Sequence, residues 1–294
     1  MNRESHAVDF ADLTTPTLRE RSRHWALNML AGYHSILPTT KIQLAKNRVH
    51  FLYLHYVFQD EEKGFERLLR WLSQTEHKFI SYSEAVERVE NGQIDDRYIC
   101  FSFDDGVANC LTAGKILQQF GAKACFFLNT STLGDTNQSH QMLVTRTRYG
   151  RLPVQYLSWN NVTALLEMGH EIGGHTHNHV DMGLLSQCDL ETEVGLNKEI
   201  LEKRYGPIQH FAWPFGRMQN FSAIARDVVF DAGYKSCASA ERGAHIASAN
   251  GNSFCIHRDN VVAAWPLSHI KYLLSQSISR SSVKTSSWKG LSDL

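Results

Sequence analysis

The sequence contains no apolar run that approaches the roughly 18 consecutive residues of a membrane-spanning helix. Its first residues also lack the apolar core of an export signal, because polar residues interrupt even the most apolar early stretch, 25–37. We therefore predict a protein without a membrane span that acts in the cytoplasm.

An excess of charge is absent as well. The 30 Lys and Arg residues balance 30 Asp and Glu residues, so the formal net charge is +0. Binding nucleic acid by neutralising phosphates needs a basic footprint, which this balance excludes except as a local patch. With 43% hydrophobic and 20% charged residues, the chain also falls outside the disordered, collagen-like and coiled-coil classes.

No two cysteines have the CxxC spacing of a redox or metal motif. The six cysteines lie apart and mostly inside apolar runs, which predicts buried, reduced thiols: Cys100, Cys110, Cys125, Cys188, Cys237 and Cys255. Histidine is abundant instead, with 15 residues, and it is the side chain most often used for metal binding and proton transfer near neutral pH.

Repeats and Pro- or Gly-rich linkers are missing too, which favours one main domain. We assign residues 1–46 to an N-terminal extension that contains a helix from Thr17 to Leu30. Residues 47–277 form the main domain, and the Ser- and Lys-rich residues 278–294 form a flexible tail.

Short apolar runs alternate with helical patterns through the main domain. The predicted strands are Val49–Phe58, Tyr98–Phe103, Ala122–Leu128, His210–Trp213, Tyr234–Ser239 and Phe254–His257. Apolar residues at helical spacing predict helices near 65–72, 113–120 and 162–166, the last two capped by Gly121 and Gly169. The alternation predicts an α/β fold with a largely parallel sheet, open or closed into a barrel, and functional groups at the carboxyl ends of its strands.

Two adjacent carboxylates, Asp104 and Asp105, directly follow the strand Tyr98–Phe103. Such a pair is costly unless a cation or hydrogen-bond donors hold it. The alternative is an Asp-Asp-Gly turn in which one Asp caps a helix that begins near Val107.

A second polar cluster, 169–179, contains four histidines. His175 and His179 are four residues apart, which would place them on one side of a helical turn where both could bind one cation. His177 would point elsewhere. Two histidines with a carboxylate from another strand form the open site of a hydrolytic zinc enzyme, whereas the alternative is a polar loop with incidental histidines.

Three motifs together resemble the polysaccharide deacetylase family in order and spacing. They are Phe101-Ser102-Phe103-Asp104-Asp105-Gly106, His175-Thr176-x-x-His179 and Phe211-Ala212-Trp213-Pro214-Phe215-Gly216. The family is also called carbohydrate esterase family 4 or the NodB-homology domain. The resemblance covers roughly residues 48–260 and implies a distorted (β/α) barrel with a divalent metal, most fittingly Zn²⁺, at its mouth. By position, Asp104 matches the general base, and the residues that match the metal ligands are Asp105, His175 and His179.

The family's general acid, a histidine in a Leu-x-His motif, has no counterpart near the C-terminus. Some members resemble a circular permutation in which this element precedes the Asp-Asp motif, within a first strand that reads like Tyr-His. The run 51–57 fits that pattern. We therefore predict that His55 is the general acid, with His177 and His257 as lesser candidates.

A second departure lies in the third motif, where the family usually carries an Arg that contacts the base. Ala212 occupies that position. We predict that Arg258, or else Arg217, replaces the missing guanidinium. In the same motif Trp213 and Phe215 could stack on a sugar ring, although aromatic residues beside a Pro-Gly turn also commonly serve packing.

These residues lead to a functional hypothesis. The protein is predicted to be a metal-dependent hydrolase that removes an N-acetyl group from an amino sugar or a polysaccharide precursor in surface-polysaccharide biosynthesis. The alternatives are hydrolysis of another C–N bond, such as an N-formyl group or a non-sugar amide, and a non-catalytic carbohydrate-binding homologue.

Overall fold

One parallel sheet forms the centre of the computed structural model, which describes residues 9, 18–35, 37, 44, 46–134, 154–246, 255–281, 288 and 291. Its strands are β1 (Arg48–Leu54), β2 (Lys78–Phe79), β3 (Arg97–Phe103), β4 (Ala124–Leu128), β5 (Glu171–Gly174), β6 (His210–Ala212), β7 (Ser236–Ala238), β8 (Cys255–Ile256) and β9 (Asp259–Asn260). The strand order is β8-β7-β6-β5-β4-β3-β1-β9, and β2 pairs with the first part of β3.

Alternating side chains give the sheet two apolar faces. On β3, Ile99, Phe101 and Phe103 belong to the large cluster that the sheet shares with the helices. Tyr98 and Cys100 point the other way, into a smaller cluster enclosed by the curled sheet. Period-two alternation with both faces buried is typical of strands in a parallel sheet that helices cover on the outside.

Helices follow most strands. Most of them pack on the outer face, but the helix at 82–90 contributes its buried residues to the smaller cluster. The helices are α1 (Leu18–Ser35), α2 (Glu62–Gln74), α3 (Tyr82–Glu90), α4 (Cys110–Gln119), α5 (Trp159–Glu167), α6 (Gln187–Tyr205), α7 (Ala223–Asp231) and α8 (Leu267–Ser281). Four begin after a serine whose side chain accepts a hydrogen bond from the backbone N–H three residues on, which satisfies one donor of the first turn: Ser81, Ser158, Ser186 and Ser222.

The two ends of the sheet are joined by one short segment. β8 pairs with β7 at one end and β9 pairs with β1 at the other, yet only His257 and Arg258 separate β8 from β9. The curled sheet therefore closes on itself through this six-residue segment. This confirms the predicted distorted (β/α) barrel and places Arg258 at the seam.

Element boundaries differ from the sequence predictions in ways that bear on the site. The first strand ends at Leu54, four residues before the predicted end, so His55 lies in the connection that follows. Helix α4 begins at Cys110, and its N-cap is Asn109 without a side-chain cap, so neither aspartate caps this helix. Gly121 and Gly169 follow the C-cap residues of α4 and α5 with φ of 67° and 83°, the left-handed conformation typical of that position.

The peripheral elements differ in part from their predicted bounds, and most of the predicted tail 278–294 lies outside the described residues. The N-terminal helix begins one residue later and ends five residues later than predicted, at Ser35, and the boundary predicted at residue 277 lies inside α8. All six cysteines are free, and five are buried, whereas Cys188 on α6 is exposed. In the described part of the chain, no helix is long and apolar enough to cross a membrane.

Candidate active site

Three side chains converge at the carboxyl ends of the strands. The Nε2 atoms of His175 and His179 lie 3.3 Å and 3.2 Å from Oδ1 of Asp105. One ligand atom from each residue lies within 4.8 Å of the other two, so one ion could contact all three. His175 and Asp105 are buried, and His179 is nearly so.

The histidines reach this position from a loop, which corrects the predicted helical turn. β5 ends at Gly174, and the backbone at Thr176 and His179 has φ of 60° and 57°. These left-handed residues fold the loop back so that both rings face Asp105. The Thr176 hydroxyl accepts a hydrogen bond from the His179 backbone N–H at 2.9 Å and closes the turn.

Two buried asparagines hold this loop, and no local sequence pattern marks either of them. The Asn129 amide donates to the carbonyl oxygens of His175 and Thr176. Asn197 on α6 accepts from the His175 backbone N–H at 3.2 Å and donates to the Thr176 carbonyl at 2.9 Å. Hydrogen bonds to the loop backbone identify both residues, and these bonds join segments that lie far apart in the sequence.

A backbone carbonyl orients the first histidine. Nδ1 of His175 lies 2.6 Å from the carbonyl oxygen of Ala212, at the end of β6. A carbonyl only accepts, so Nδ1 carries the proton and Nε2 presents its lone pair toward Asp105. Ala212, the position where the family carries an Arg, thus contributes its backbone to the site.

This donor set fits a divalent metal ion. It offers two imidazole nitrogens and one carboxylate oxygen, the ligands typical of hydrolytic zinc sites that keep further positions open. Nearby partners fix the orientation of His175 and the backbone of its loop, as is usual for metal-binding histidines.

Asp104 lies beside this set and is held by Arg258. The two guanidinium NH groups donate to the two carboxylate oxygens of Asp104, each at 2.8 Å. Arg258 is fully buried and also donates to the Ser239 carbonyl and the Ser102 hydroxyl. Its guanidinium carbon lies 4.5 Å from the centre of the Tyr53 ring, so the group is fixed on several sides.

Electrostatics keeps Asp104 ionised. Burial by itself would raise the pKa of this carboxyl, but the charge of Arg258, followed by that of His175 and the hydrogen bonds from Arg258, outweighs burial and lowers the pKa. The pKa of Arg258 is raised in turn, because the Asp104 charge outweighs the effect of burial on the guanidinium. The pair therefore places an anionic carboxylate at the site at neutral pH.

His55 lies next to Asp104 at the same edge of the sheet. The Asp104 backbone N–H donates to the Leu54 carbonyl at 3.0 Å, so His55 and Asp104 leave adjacent parallel strands at the same level. The imidazole is half-buried, and its centre lies 5.7 Å from that of Tyr53. Its role as general acid stays a prediction.

The lesser candidates have other partners. Nδ1 of His177 lies 2.8 Å from the Thr130 hydroxyl, and the His257 ring packs beside His245 at 5.9 Å. Arg217 is exposed, and the contact with Asp104 comes from Arg258 instead. The structure thus gathers Asp104, Asp105, His175, His179 and Arg258, with His55 just past the end of the adjacent strand.

The two aromatic candidates differ sharply. Trp213 is fully buried and stacks on Phe221 at 4.3 Å, with Trp288 at 6.0 Å, so it has no face for a sugar and serves packing. The prediction that it stacks on substrate is therefore corrected. Phe215 is 55% exposed, and its ring lies 4.9 Å from that of His179.

Backbone strain concentrates at this site. Five non-glycine residues of the described chain have positive φ, and four of them belong to the motifs above: Asp105, Thr176, His179 and Phe215. Left-handed backbone at such residues costs about 1–3 kcal/mol each and persists only where surrounding contacts enforce it. Its clustering here is what a functional site built on loops leads us to expect.

The fold and the site together define a (β/α) barrel with three side chains that could hold a metal ion, and a further carboxylate, at its mouth. The polysaccharide deacetylase family profile matches residues 91–237, half of the chain. The chain therefore belongs to the polysaccharide deacetylase family, which confirms the resemblance of its motifs.

Solved structures of deacetylases share the fold. IcaB from Ammonifex degensii superposes with a TM-score of 0.65 at 17% identity, over 79% of this chain and 98% of its own. The de-N-acetylase from Aggregatibacter actinomycetemcomitans gives 0.62 at 17% identity, over 77% and 99%. The Streptococcus pyogenes deacetylase PplD, solved in complex with acetate, gives 0.61 at 19%, over 79% and 98%. A comparison with curated proteins gives no match.

Proposed function

We propose that the protein is a metal-dependent hydrolase that removes an N-acyl group, acetyl first of all, from an amino sugar or a polysaccharide precursor. One observation carries the proposal. The donor set Asp105, His175 and His179 lies beside Asp104, a carboxylate kept ionised by Arg258. Membership of the polysaccharide deacetylase family supports the same chemistry.

Asp105, His175 and His179 are the residues that would hold the metal, with Zn²⁺ as the best fit to a set of two imidazoles and one carboxylate. When bound, such an ion lowers the pKa of water and polarises the substrate carbonyl.

The protein's own residues handle the protons. Asp104 accepts a proton from the attacking water as its oxygen bonds to the carbonyl carbon, and Arg258 keeps the carboxylate in place during the transfer. When the C–N bond breaks, the nitrogen needs a proton to leave as an amine, and we assign its donation to His55. The products are the carboxylic acid, acetate for an N-acetyl substrate, and the free amino sugar.

The test is acetate release by the Zn²⁺- or Co²⁺-loaded protein from N-acetylglucosamine, its β-linked oligomers and UDP-N-acetylglucosamine, with N-formyl analogues run in parallel. We expect release from at least one N-acetyl sugar, and loss of release in Asp104→Asn with metal content unchanged. Release from N-formyl analogues alone would move the assignment to another C–N hydrolase. Binding of these sugars without any release would show a non-catalytic homologue.

A further inference from the structure

Helix α1 lies outside the strands and helices that form the barrel and packs on α8 through one face. Ala31 is buried there, the Asn28 amide oxygen lies 2.7 Å from His269 Nε2, and the rings of His34 and Tyr272 are 4.8 Å apart. α8 in turn packs on α2. These contacts fix which face of α1 points away from the protein.

That outward face is apolar. Trp25, Met29 and Tyr33, spaced by four residues, are 67%, 61% and 61% exposed, and Leu30 beside them is 43% exposed. These four make up nearly half of the nine exposed large apolar side chains of the described residues. A contiguous apolar stripe of this kind on a folded protein marks an interaction surface.

The sequence segments that contain α1 and α8 are poor in acidic residues. The sequence has no Asp or Glu in 21–59 or in 260–292, although the whole chain carries 30 acidic residues in 294. Helix α1 contains three arginines and one glutamate, and α8 contains one lysine, one arginine and no acidic residue. The two helices that form this edge are therefore basic within a chain whose formal net charge is +0.

We propose that α1 lies in the surface of a lipid bilayer with anionic headgroups, with Trp25, Met29, Leu30 and Tyr33 at the boundary between headgroups and acyl chains. Trp and Tyr prefer this boundary because their rings are amphipathic. Basic residues near the surface add attraction to anionic phosphates. A second copy of the chain is disfavoured as the occupant, because a symmetric contact would bring two basic helix pairs together.

The experiment is co-sedimentation of the full-length, metal-loaded protein with large vesicles. One set contains phosphatidylcholine with phosphatidylglycerol, and the other contains phosphatidylcholine alone. We expect binding to the mixed vesicles, weaker binding to the neutral ones, and further weakening at about 0.5 M NaCl, where surface charges are screened. The triple variant Trp25→Ser, Met29→Ser, Tyr33→Ser should reduce binding by about tenfold or more, because it removes most of the inserted apolar area.

A matched control replaces exposed apolar residues elsewhere. Leu196 on α6 and Ile224 on α7 are 37% and 39% exposed, and the variant Leu196→Ser, Ile224→Ser should bind vesicles like the parent. Circular dichroism and thermal melts check that both variants fold.

Equal vesicle binding by parent and triple variant, or no binding by the parent, would overturn the proposal. Sedimentation velocity that shows a dimer lost in the triple variant, without vesicle binding, would assign the surface to a second copy. Acetate release from a water-soluble sugar is not expected to change, which separates this test from that of the catalytic proposal.

Discussion

Arg258 binds both carboxylate oxygens of Asp104, each at 2.8 Å, from 154 residues further along the chain. The contact exists because the segment that closes the barrel brings Arg258 over the end of β3, inside the curled sheet. The family position for a base-contacting Arg is Ala212 here, and its backbone carbonyl accepts from His175 instead. The guanidinium therefore reaches Asp104, the proposed base, from the seam of the barrel.

Removing this guanidinium should impair catalysis and stability together. We expect Arg258→Met to lower kcat by about 100-fold, because the base loses its fixed orientation, and to lower the free energy of unfolding by about 3–5 kcal/mol, because a buried carboxylate is left without its partner. Arg258→Lys should be intermediate, since it keeps the charge but not the two-point contact. Acetate-release kinetics and urea unfolding measure both effects. An unchanged kcat in Arg258→Met would show that the contact does not position the base.

Substitutions of two histidines that lie close together in the loop should differ in their effect on metal binding. His175→Ala removes one of the three donors, so the protein should lose its divalent metal on dialysis without chelator. His177→Ala should retain about one metal per chain, because the His177 imidazole contacts Thr130 instead. Elemental analysis of both variants and the parent is the measurement. Equal metal content in the two variants would contradict the assigned ligand set.

The general-acid assignment can be tested through the leaving group. His55→Gln should lower N-acetyl hydrolysis by about 10²–10⁴-fold, because an amine leaves poorly without a proton. An activated aryl acetate ester, whose leaving group needs no proton, should be cleaved by the variant almost as fast as by the parent. His257→Gln is the control and should retain both activities. If His55→Gln slows the ester and the amide equally, His55 is not the acid.

The sequence was most informative where the candidate site residues lie close together along the chain. Two motifs were recognisable because each lies in one short segment. They are the pair Asp104 and Asp105 after an apolar strand, and the histidines His175 and His179 four residues apart. Arg258 could be suggested only because a guanidinium was missing elsewhere.

The remaining site residues depend on packing between distant segments. The spacing of four residues in the histidine motif indicated a helical turn, but two left-handed residues produce the same convergence in a loop. Asn129 and Asn197 carry no local pattern, since their partners lie 21 or more residues away. Whether Trp213 faced substrate or core was decided by Phe221 and Trp288, which no periodicity around Trp213 reveals.

Among the described residues, Tyr53 is the one ring that contacts both Arg258, which holds the proposed base, and His55, the proposed acid. Its centre lies 4.5 Å from the Arg258 guanidinium carbon and 5.7 Å from the centre of the His55 ring. We expect Tyr53→Leu to lower kcat by about tenfold with little change in KM, because both neighbours lose a packing surface. Tyr53→Phe keeps the ring and should retain most activity. Equal loss in the two variants would mean that the hydroxyl, not the ring, matters.

Stability should fall as the pH is lowered below neutrality. Burial is the main cause that lowers the pKa of His77, His210 and His245 to about 3, so these residues stay neutral in the folded protein. In the unfolded chain they bind protons below a pKa of about 6.5. Above pH 6.5 the three histidines therefore leave the free energy of unfolding at its full value. As the pH falls from 6.5 toward 3 the unfolded chain binds protons that the folded protein does not, which lowers the free energy of unfolding by roughly 2 kcal/mol per histidine at pH 5.

Glu61 acts in the opposite direction, because burial raises its pKa to about 7 and favours the folded state at lower pH. Between pH 7 and pH 5 Glu61 raises the free energy of unfolding by roughly 2 kcal/mol, about as much as one of the three histidines lowers it. A net loss of stability therefore remains. Urea unfolding at both pH values measures the difference. The metal-free protein is used because protonation of the proposed ligands at pH 5 would otherwise release the metal and lower the stability for a separate reason. His77→Gln should have a smaller pH dependence than the parent by roughly 2 kcal/mol, since one buried proton acceptor is gone. An identical pH dependence in the two proteins would mean that His77 already carries its proton in the folded state.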